Sequence, residues 1–204
     1  MPSLARILLA AAALLASAPI AAALTIPYDL PDGVYQIDWL PGGKNSIASW
    51  TYFDIPHDVN MTNTKWNGKL PLPVKHYDIH CLLEDHRMEN VTVSNFTRPD
   101  DQSKAMAMLG NWCEITTYVQ KDAMVFGLHN DMMWYVCNWD NMHNYQENQQ
   151  RCSRREIAEA SRLITSRCGE ETRGELSIGL WQKTYGRSHR FGDVCNGKDT
   201  WSEN

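Results

Sequence analysis

Three residues near the middle of the chain have the types and spacing that could bind a metal ion. His76, Asp78 and His80 alternate along one short segment, and side chains two apart in a β-strand point to the same face. Two imidazoles and a carboxylate are an acceptable ligand set for zinc and other transition metals. The same residues are also ordinary on the wet face of a sheet, and a three-residue spacing is a weak motif. We therefore expect no metal and no other cofactor.

A hydrolase or nuclease would use some of the same residues. A histidine of this segment would act as general base, and Arg187 or Arg190 would stabilise a phosphate or an oxyanion. The chain contains no Gly-x-Ser-x-Gly elbow, no His-Glu-x-x-His helix and no phosphate-binding loop. The absence of these motifs predicts that the protein is not an enzyme.

Binding is the other chemistry that the residue types allow. Arg187 and Arg190 lie in a segment rich in turn-forming residues and flanked by glycine, which predicts a binding loop on a rigid scaffold. Trp39, Trp50 and Trp66 could present flat apolar rings to sugars, so a carbohydrate-binding module is an alternative. Packing against the core is the favoured role for these tryptophans.

The first 23 residues indicate the compartment. They combine one arginine, a long apolar run and a small-residue exit at Ala23, which is typical of a cleaved secretory signal peptide. The remaining part carries six cysteines, at Cys81, Cys113, Cys137, Cys152, Cys168 and Cys195. An even number in an exported chain predicts three disulfides. No later stretch is long and apolar enough for a transmembrane segment, so we expect a secreted, extracellular protein.

Glycosylation and charge narrow the class of partner. Sequons begin at Asn60, Asn90 and Asn95, which predicts a glycoprotein in a eukaryotic secretory pathway. The formal net charge of −5 argues against a dedicated nucleic-acid binder. Basic residues are in excess between positions 151 and 190. They could form a face for an acidic partner, although local pairing with acids is the favoured explanation.

The elements that must position these residues fall into two regions. Residues 24–72 predict an N-terminal β-hairpin and a linker, because 35–39 alternates, Pro41-Gly42-Gly43 turns the chain and 47–53 is rich in strand formers. Residues 73–204 predict a cysteine-bearing core. Its strands are expected at 74–83, 123–128, 132–138 and 174–184, and its helices at 100–112 and 153–168.

This order of core elements predicts the fold class. Strand, helix, strand, strand, helix, strand (βαββαβ) is the split βαβ pattern. It predicts an α+β fold in which a four-stranded antiparallel sheet carries two helices on one face, here stabilised by disulfides. The helices then run in opposite directions, which brings Cys113 close to Cys152. The pairing of the other four cysteines stays open.

Cysteine and glycine placement gives a family resemblance. The segments Trp134-Tyr-Val-Cys137-Asn, Ser166-Arg-Cys168-Gly169, Thr184-Tyr-Gly-Arg187 and Gly192-Asp-Val-Cys195, with Cys152 between the first two, resemble those of small secreted fungal cysteine-containing proteins. The opening Leu30-Pro-Asp-Gly-Val-Tyr35 is also similar. The nearest groups are the necrosis-inducing effectors and the killer-toxin-like α/β sandwiches. The resemblance implies a non-enzymatic virulence or antagonism protein, and it transfers no catalytic residue.

The expected function follows from these observations. We expect a secreted effector-like or toxin-like protein, acting as a monomer by binding another organism's cells. The partner would be a host or competitor cell-surface protein, glycan or anionic lipid. A carbohydrate-binding module and a small secreted hydrolase or nuclease stay as alternatives.

Overall fold

The chain forms an α+β fold on one antiparallel sheet. The computed structural model describes residues 26–27, 29–39, 47–55, 77–82, 98–116, 118–139, 149–190, 192 and 194–195. The strands are β1 (Gly33–Trp39), β2 (Ile47–Phe53), β3 (Tyr77–Cys81), β4 (Tyr118–Gln120), β5 (Ala123–His129), β6 (Met132–Asn138), β7 (Gln149–Arg151), β8 (Gly174–Ile178) and β9 (Lys183–His189). The helices are α1 (Pro99–Thr116) and α2 (Arg154–Cys168). The predicted signal peptide lies outside the described residues.

The main sheet is larger than the sequence predicts. It has seven strands in the order β2-β1-β5-β6-β9-β8-β3, while β4 and β7 form a separate pair. The expectation of four strands is therefore wrong. The predicted N-terminal hairpin is present, since β1 pairs with β2, but β1 also pairs antiparallel with β5. This second pairing makes the hairpin continuous with the sheet of the core, which no local pattern in the chain specifies.

The two helices form where the sequence predicts them. Ser153 caps α2, and its hydroxyl accepts a hydrogen bond from the Glu156 amide. The helix ends at Gly169, whose φ of 92° belongs to the region that favours glycine. In α1 the apolar side is buried, including Leu109 and Trp112. Full burial of a large apolar side chain contributes about 2–3 kcal/mol.

A core lies on each face of the sheet. Both helices pack on one face, where the core includes Trp112, Trp134 and Ile157. The opposite face has a second core that includes Tyr35, Phe126, Tyr135 and Cys137, joined by Ile26, Val194 and Cys195. Because both faces are covered, the central strands β5 and β6 are buried along their whole length. This explains why both read as continuous apolar runs.

The last part of the chain differs from the sequence prediction. The segment 174–184, expected as one strand, contains β8, a 3-10 turn (Gly179–Trp181) and the start of β9. The segment 185–193, expected as a turn-rich loop, begins inside β9. Gly186 suggested a turn, but its role is steric. The Tyr135 ring of β6 lies directly over it, and a Cβ at position 186 would overlap that ring.

Three disulfides cross-link the fold: two join the main sheet to α2 and to the C-terminal segment, and one joins α1 to the start of α2. The structure pairs Cys81 with Cys168, Cys113 with Cys152 and Cys137 with Cys195. Cys113–Cys152 is the pairing that the opposed helices predict. The bridges close sequence separations of 87, 39 and 58 residues, for which chain-entropy arguments give about 4 kcal/mol each. Within the described residues, neither helix has the length and apolar character required to cross a bilayer.

Candidate functional site

Two of the three candidate metal ligands, Asp78 and His80, lie in the described part of the chain. Asp78 and His80 lie in β3 at the edge of the sheet, opposite Ser177 and Glu175 of β8. Their neighbours Tyr77 and Ile79 pack on the helix-side core, so Asp78 and His80 belong to the other face. His76 lies outside the described residues. Among the residues that are described, no group of three or more potential ligands is placed to hold a metal ion.

Arg187 does not lie in a binding loop. It belongs to β9, is fully buried, and reaches the last turn of α2. Its guanidinium donates to the Thr172 carbonyl at 2.8 Å, to the Thr165 hydroxyl at 2.8 Å, and to the Gly169 carbonyl. Carbonyls at a helix end have no partner within the helix and carry partial negative charge. Arg187 therefore caps α2, and burial lowers its pKa to about 10.

Arg190 is also an internal residue, which corrects the second half of the loop prediction. It follows β9 directly and is only 4 % exposed. Its guanidinium donates to the carbonyls of Pro27 and Asn130, and Nε lies 3.1 Å from a carboxylate oxygen of Asp131. Arg190 thus joins the N-terminal segment to the β5–β6 turn, and it is not available as a contact surface.

Most of the other candidate residues lie outside the described part of the chain. The sequons at Asn60, Asn90 and Asn95 lie outside the described residues, as does Trp66. Trp39 is the last residue of β1, and Trp50 lies in β2.

Four residues from three separate stretches of the chain meet at one end of the sheet. We name this group the rim cluster: Asp32, Asp101, His129 and Asn130. His129 Nδ1 lies 2.7 Å from a carboxylate oxygen of Asp32, and Nε2 lies 3.5 Å from one of Asp101. The amide N–H of Asn130 donates to Asp32 at 2.7 Å, and its side chain donates to Asp101 at 2.9 Å.

The members of the rim cluster come from three different local elements. Asp32 precedes β1 in a turn, Asp101 lies in the first turn of α1, and His129 and Asn130 end β5 and begin the hairpin turn. Asn130 has a φ of 50°, which asparagine tolerates better than most residues. In the sequence these residues read as turn and cap residues, so only the long-range pairing of β1 with β5 reveals the cluster.

The chemistry of the rim cluster favours recognition. A carboxylate that orients an imidazole is part of many general-base arrangements. Here the second ring nitrogen faces another carboxylate, and His129 is only 9 % exposed. The Asp32 carboxylate is the open part, with its side chain 41 % exposed. The cluster therefore offers fixed hydrogen-bonding groups to a ligand.

A second polar group is buried between α2 and β9. Lys183 is 2 % exposed and donates to the Arg151 carbonyl, and its Nζ lies 3.3 Å from the Glu156 carboxylate. The Tyr185 hydroxyl also donates to Glu156. Burial lowers the pKa of Lys183 against the opposing effect of Glu156, and burial together with Glu156 raises the pKa of Tyr185 well above its usual value. This burial indicates that the group links α2 to β9 inside the fold.

A third polar group, the pair Tyr135 and Glu175, is buried on the opposite face of the sheet. The Tyr135 hydroxyl donates to Glu175 at 2.6 Å, and both side chains are fully buried. Burial, followed by the neighbouring Glu175 carboxylate, raises the pKa of Tyr135 well above its usual value. Like Lys183, this pair has no surface open to solvent. Of these three groups, the rim cluster has the most exposed carboxylate, that of Asp32.

Comparison with protein-family models, with curated proteins and with solved structures gave no match. Function is therefore inferred from the residues and their geometry.

Proposed function

We propose that this chain is a secreted effector-like or toxin-like protein that binds a component on the cells of another organism. The observation that carries the proposal is the contrast between its buried and exposed polar groups. Arg187, Arg190 and Lys183 are buried and bond to the protein itself. Asp32 in the rim cluster stays open to solvent while the protein holds it in place.

Rigidity supports binding as the mode of action. The rim cluster joins the segment before β1, the start of α1 and the β5–β6 turn, and each is part of the fold that three disulfides lock. A ligand site that is fixed before binding loses less conformational entropy when the ligand arrives. Three disulfides also suit an extracellular environment, because disulfides form and persist in oxidising compartments.

The proposal is tested by exposing cells to the purified protein. The disulfide-intact protein is infiltrated into tissue of candidate hosts and added to cultures of competing microorganisms, and cell death or growth arrest is measured. The control is the same chain after reduction and alkylation, which keeps the sequence and removes the bridges. We expect a response that depends on the intact bridges. No response in any host or competitor, or an equal response from the alkylated chain, would contradict the proposal.

A further inference from the structure

An exposed aromatic ring stands beside the rim cluster. Tyr52 lies in β2, the edge strand of the sheet, and is 47 % exposed. Among the described residues, Tyr52 and Ile115 are the large apolar side chains that are exposed. Ile115 lies near the other end of α1, whereas the Tyr52 hydroxyl donates to the Asp32 carbonyl at 3.4 Å. The Tyr52 ring therefore lies next to Asp32, the exposed carboxylate of the rim cluster.

The ring of Tyr52 is held in position by the sheet beneath it. It packs over Gly33, where an added Cβ would overlap the ring. On one side it contacts Tyr35, with ring centroids 5.1 Å apart and planes inclined by 46°. Tyr35 is itself fixed, because its hydroxyl donates to the Pro31 carbonyl at 2.7 Å. Tyr52 is thus a preformed apolar platform at the sheet edge.

The polar groups next to this platform are oriented as well. Asp32 receives the Asn130 amide N–H on one carboxylate oxygen and faces His129 with the other. Each carboxylate oxygen can accept two hydrogen bonds, so the exposed carboxylate retains capacity for a ligand's hydroxyl groups. Asn130 is exposed in the hairpin turn. An aromatic face beside a fixed carboxylate and an amide suits a molecule with one apolar face and a rim of hydroxyls.

We infer that Tyr52, Asp32 and Asn130 form a binding site for a neutral sugar unit of a glycan on the target cell. The apolar face of the sugar ring packs on Tyr52, and its hydroxyls bond to Asp32 and Asn130. The open carboxylate of Asp32 disfavours acidic sugars, since like charges repel. This inference rests on the proposed binding function and adds the ligand class and the location of the site.

The size of the apolar surface favours a small ligand unit over a folded protein partner. A stable protein interface buries about 800 Å² on each partner and has an apolar centre. The described surface here offers a single exposed ring. One exposed ring with two polar residues near it is too small for such an interface and is sufficient to bind one sugar residue.

The test measures glycan binding by the disulfide-intact protein and its variants. An array of neutral and acidic oligosaccharides identifies a ligand, and titration calorimetry with the strongest neutral oligosaccharide gives the dissociation constant. We expect Tyr52→Ala to weaken binding at least tenfold and Tyr52→Phe, which keeps the ring, to stay within threefold. Asp32→Asn is expected to weaken binding, because the amide replaces one acceptor oxygen with a donor. Ile115→Ala is the matched control and should bind like the wild type.

The outcomes separate this site from the proposed function. Near-ultraviolet circular dichroism first establishes that each variant keeps the native fold. Absence of any neutral glycan ligand, exclusive binding of acidic glycans, or unchanged binding by Tyr52→Ala would overturn the sugar site. The cell-response assay on the same preparations is independent of the array. A wild-type response without glycan binding would overturn the sugar site alone, and absence of both would overturn the proposed function as well.

Discussion

Replacing Arg187 by methionine tests whether this residue is an internal cap of α2. Methionine keeps much of the side-chain volume and removes the guanidinium. The substitution deletes hydrogen bonds to Thr172, Thr165 and Gly169. A hydrogen bond from a charged donor contributes about 1.5–3 kcal/mol, so three together contribute about 6 kcal/mol before the cost of burying the charge.

Burial of the cation offsets part of that gain. It lowers the pKa of Arg187 to about 10, and an ion that leaves water loses several kcal/mol of hydration. We therefore expect Arg187→Met to lower the free energy of unfolding by about 3 kcal/mol. In a domain of this size, such a loss lowers Tm by about 9 °C.

The assay is urea unfolding followed by tryptophan fluorescence, with all bridges intact. The control is Arg167→Met, which removes an exposed arginine from the last turn of the same helix and should cost about 0.5 kcal/mol or less. Equal losses in the two variants would refute the assignment of Arg187 as a buried cap. If Arg187 were a surface contact, its substitution would instead leave stability unchanged and weaken target binding.

Three further substitutions test other parts of the fold. Gly127→Ala should lower the free energy of unfolding by about 3 kcal/mol, because its Cβ would overlap a backbone carbonyl of α1; calorimetry showing an unchanged Tm would contradict this close approach. Burial, followed by the charge of Arg173 and against the effect of Asp131, lowers the pKa of His189 to about 4. The unfolded chain therefore binds this proton first, and stability falls as pH drops from about 6.5 to 4. His189→Gln should remove about 1–2 kcal/mol of that fall, after allowance for partial exposure, and superimposable stability curves for wild type and variant would argue against it. Ser153→Ala should cost about 1 kcal/mol through loss of the cap of α2, and Ser153→Asp should retain the stability in urea titrations.

Local features of the sequence predict the local features of the fold. The Ser153 to Glu156 spacing and Gly169 define α2, and the His129-Asn130-Asp131 turn joins β5 to β6 as expected. The Cys113–Cys152 bridge is the exception, because the order of elements along the chain predicts it and no single segment does. Capping and turn formation depend on residues within about five positions of each other, so one chain segment carries the whole signal.

Two residues whose sequence context predicts the wrong structure are fixed by partners that are distant along the chain. Gly186 resembles a turn residue in the sequence, but the Tyr135 ring on the neighbouring strand requires a glycine there. Arg187 resembles an exposed loop residue, but it bonds to Thr165 and Gly169 at the end of α2 and to Thr172 in the following loop. In both cases the partner is distant in sequence, and its position depends on which strands become neighbours.

The sequence by itself determined the types of most elements, the capped helix, the two hairpins and an even set of cysteines, because these depend on spacing along the chain. Tertiary structure alone decided that β1 pairs with β5, that β3 takes the far edge, and that Asp32 meets His129. Strand order reflects the burial of both sheet faces at once, which is a property of the whole fold. The rim cluster is a consequence of that strand order, and for this reason no local motif in the chain predicts it.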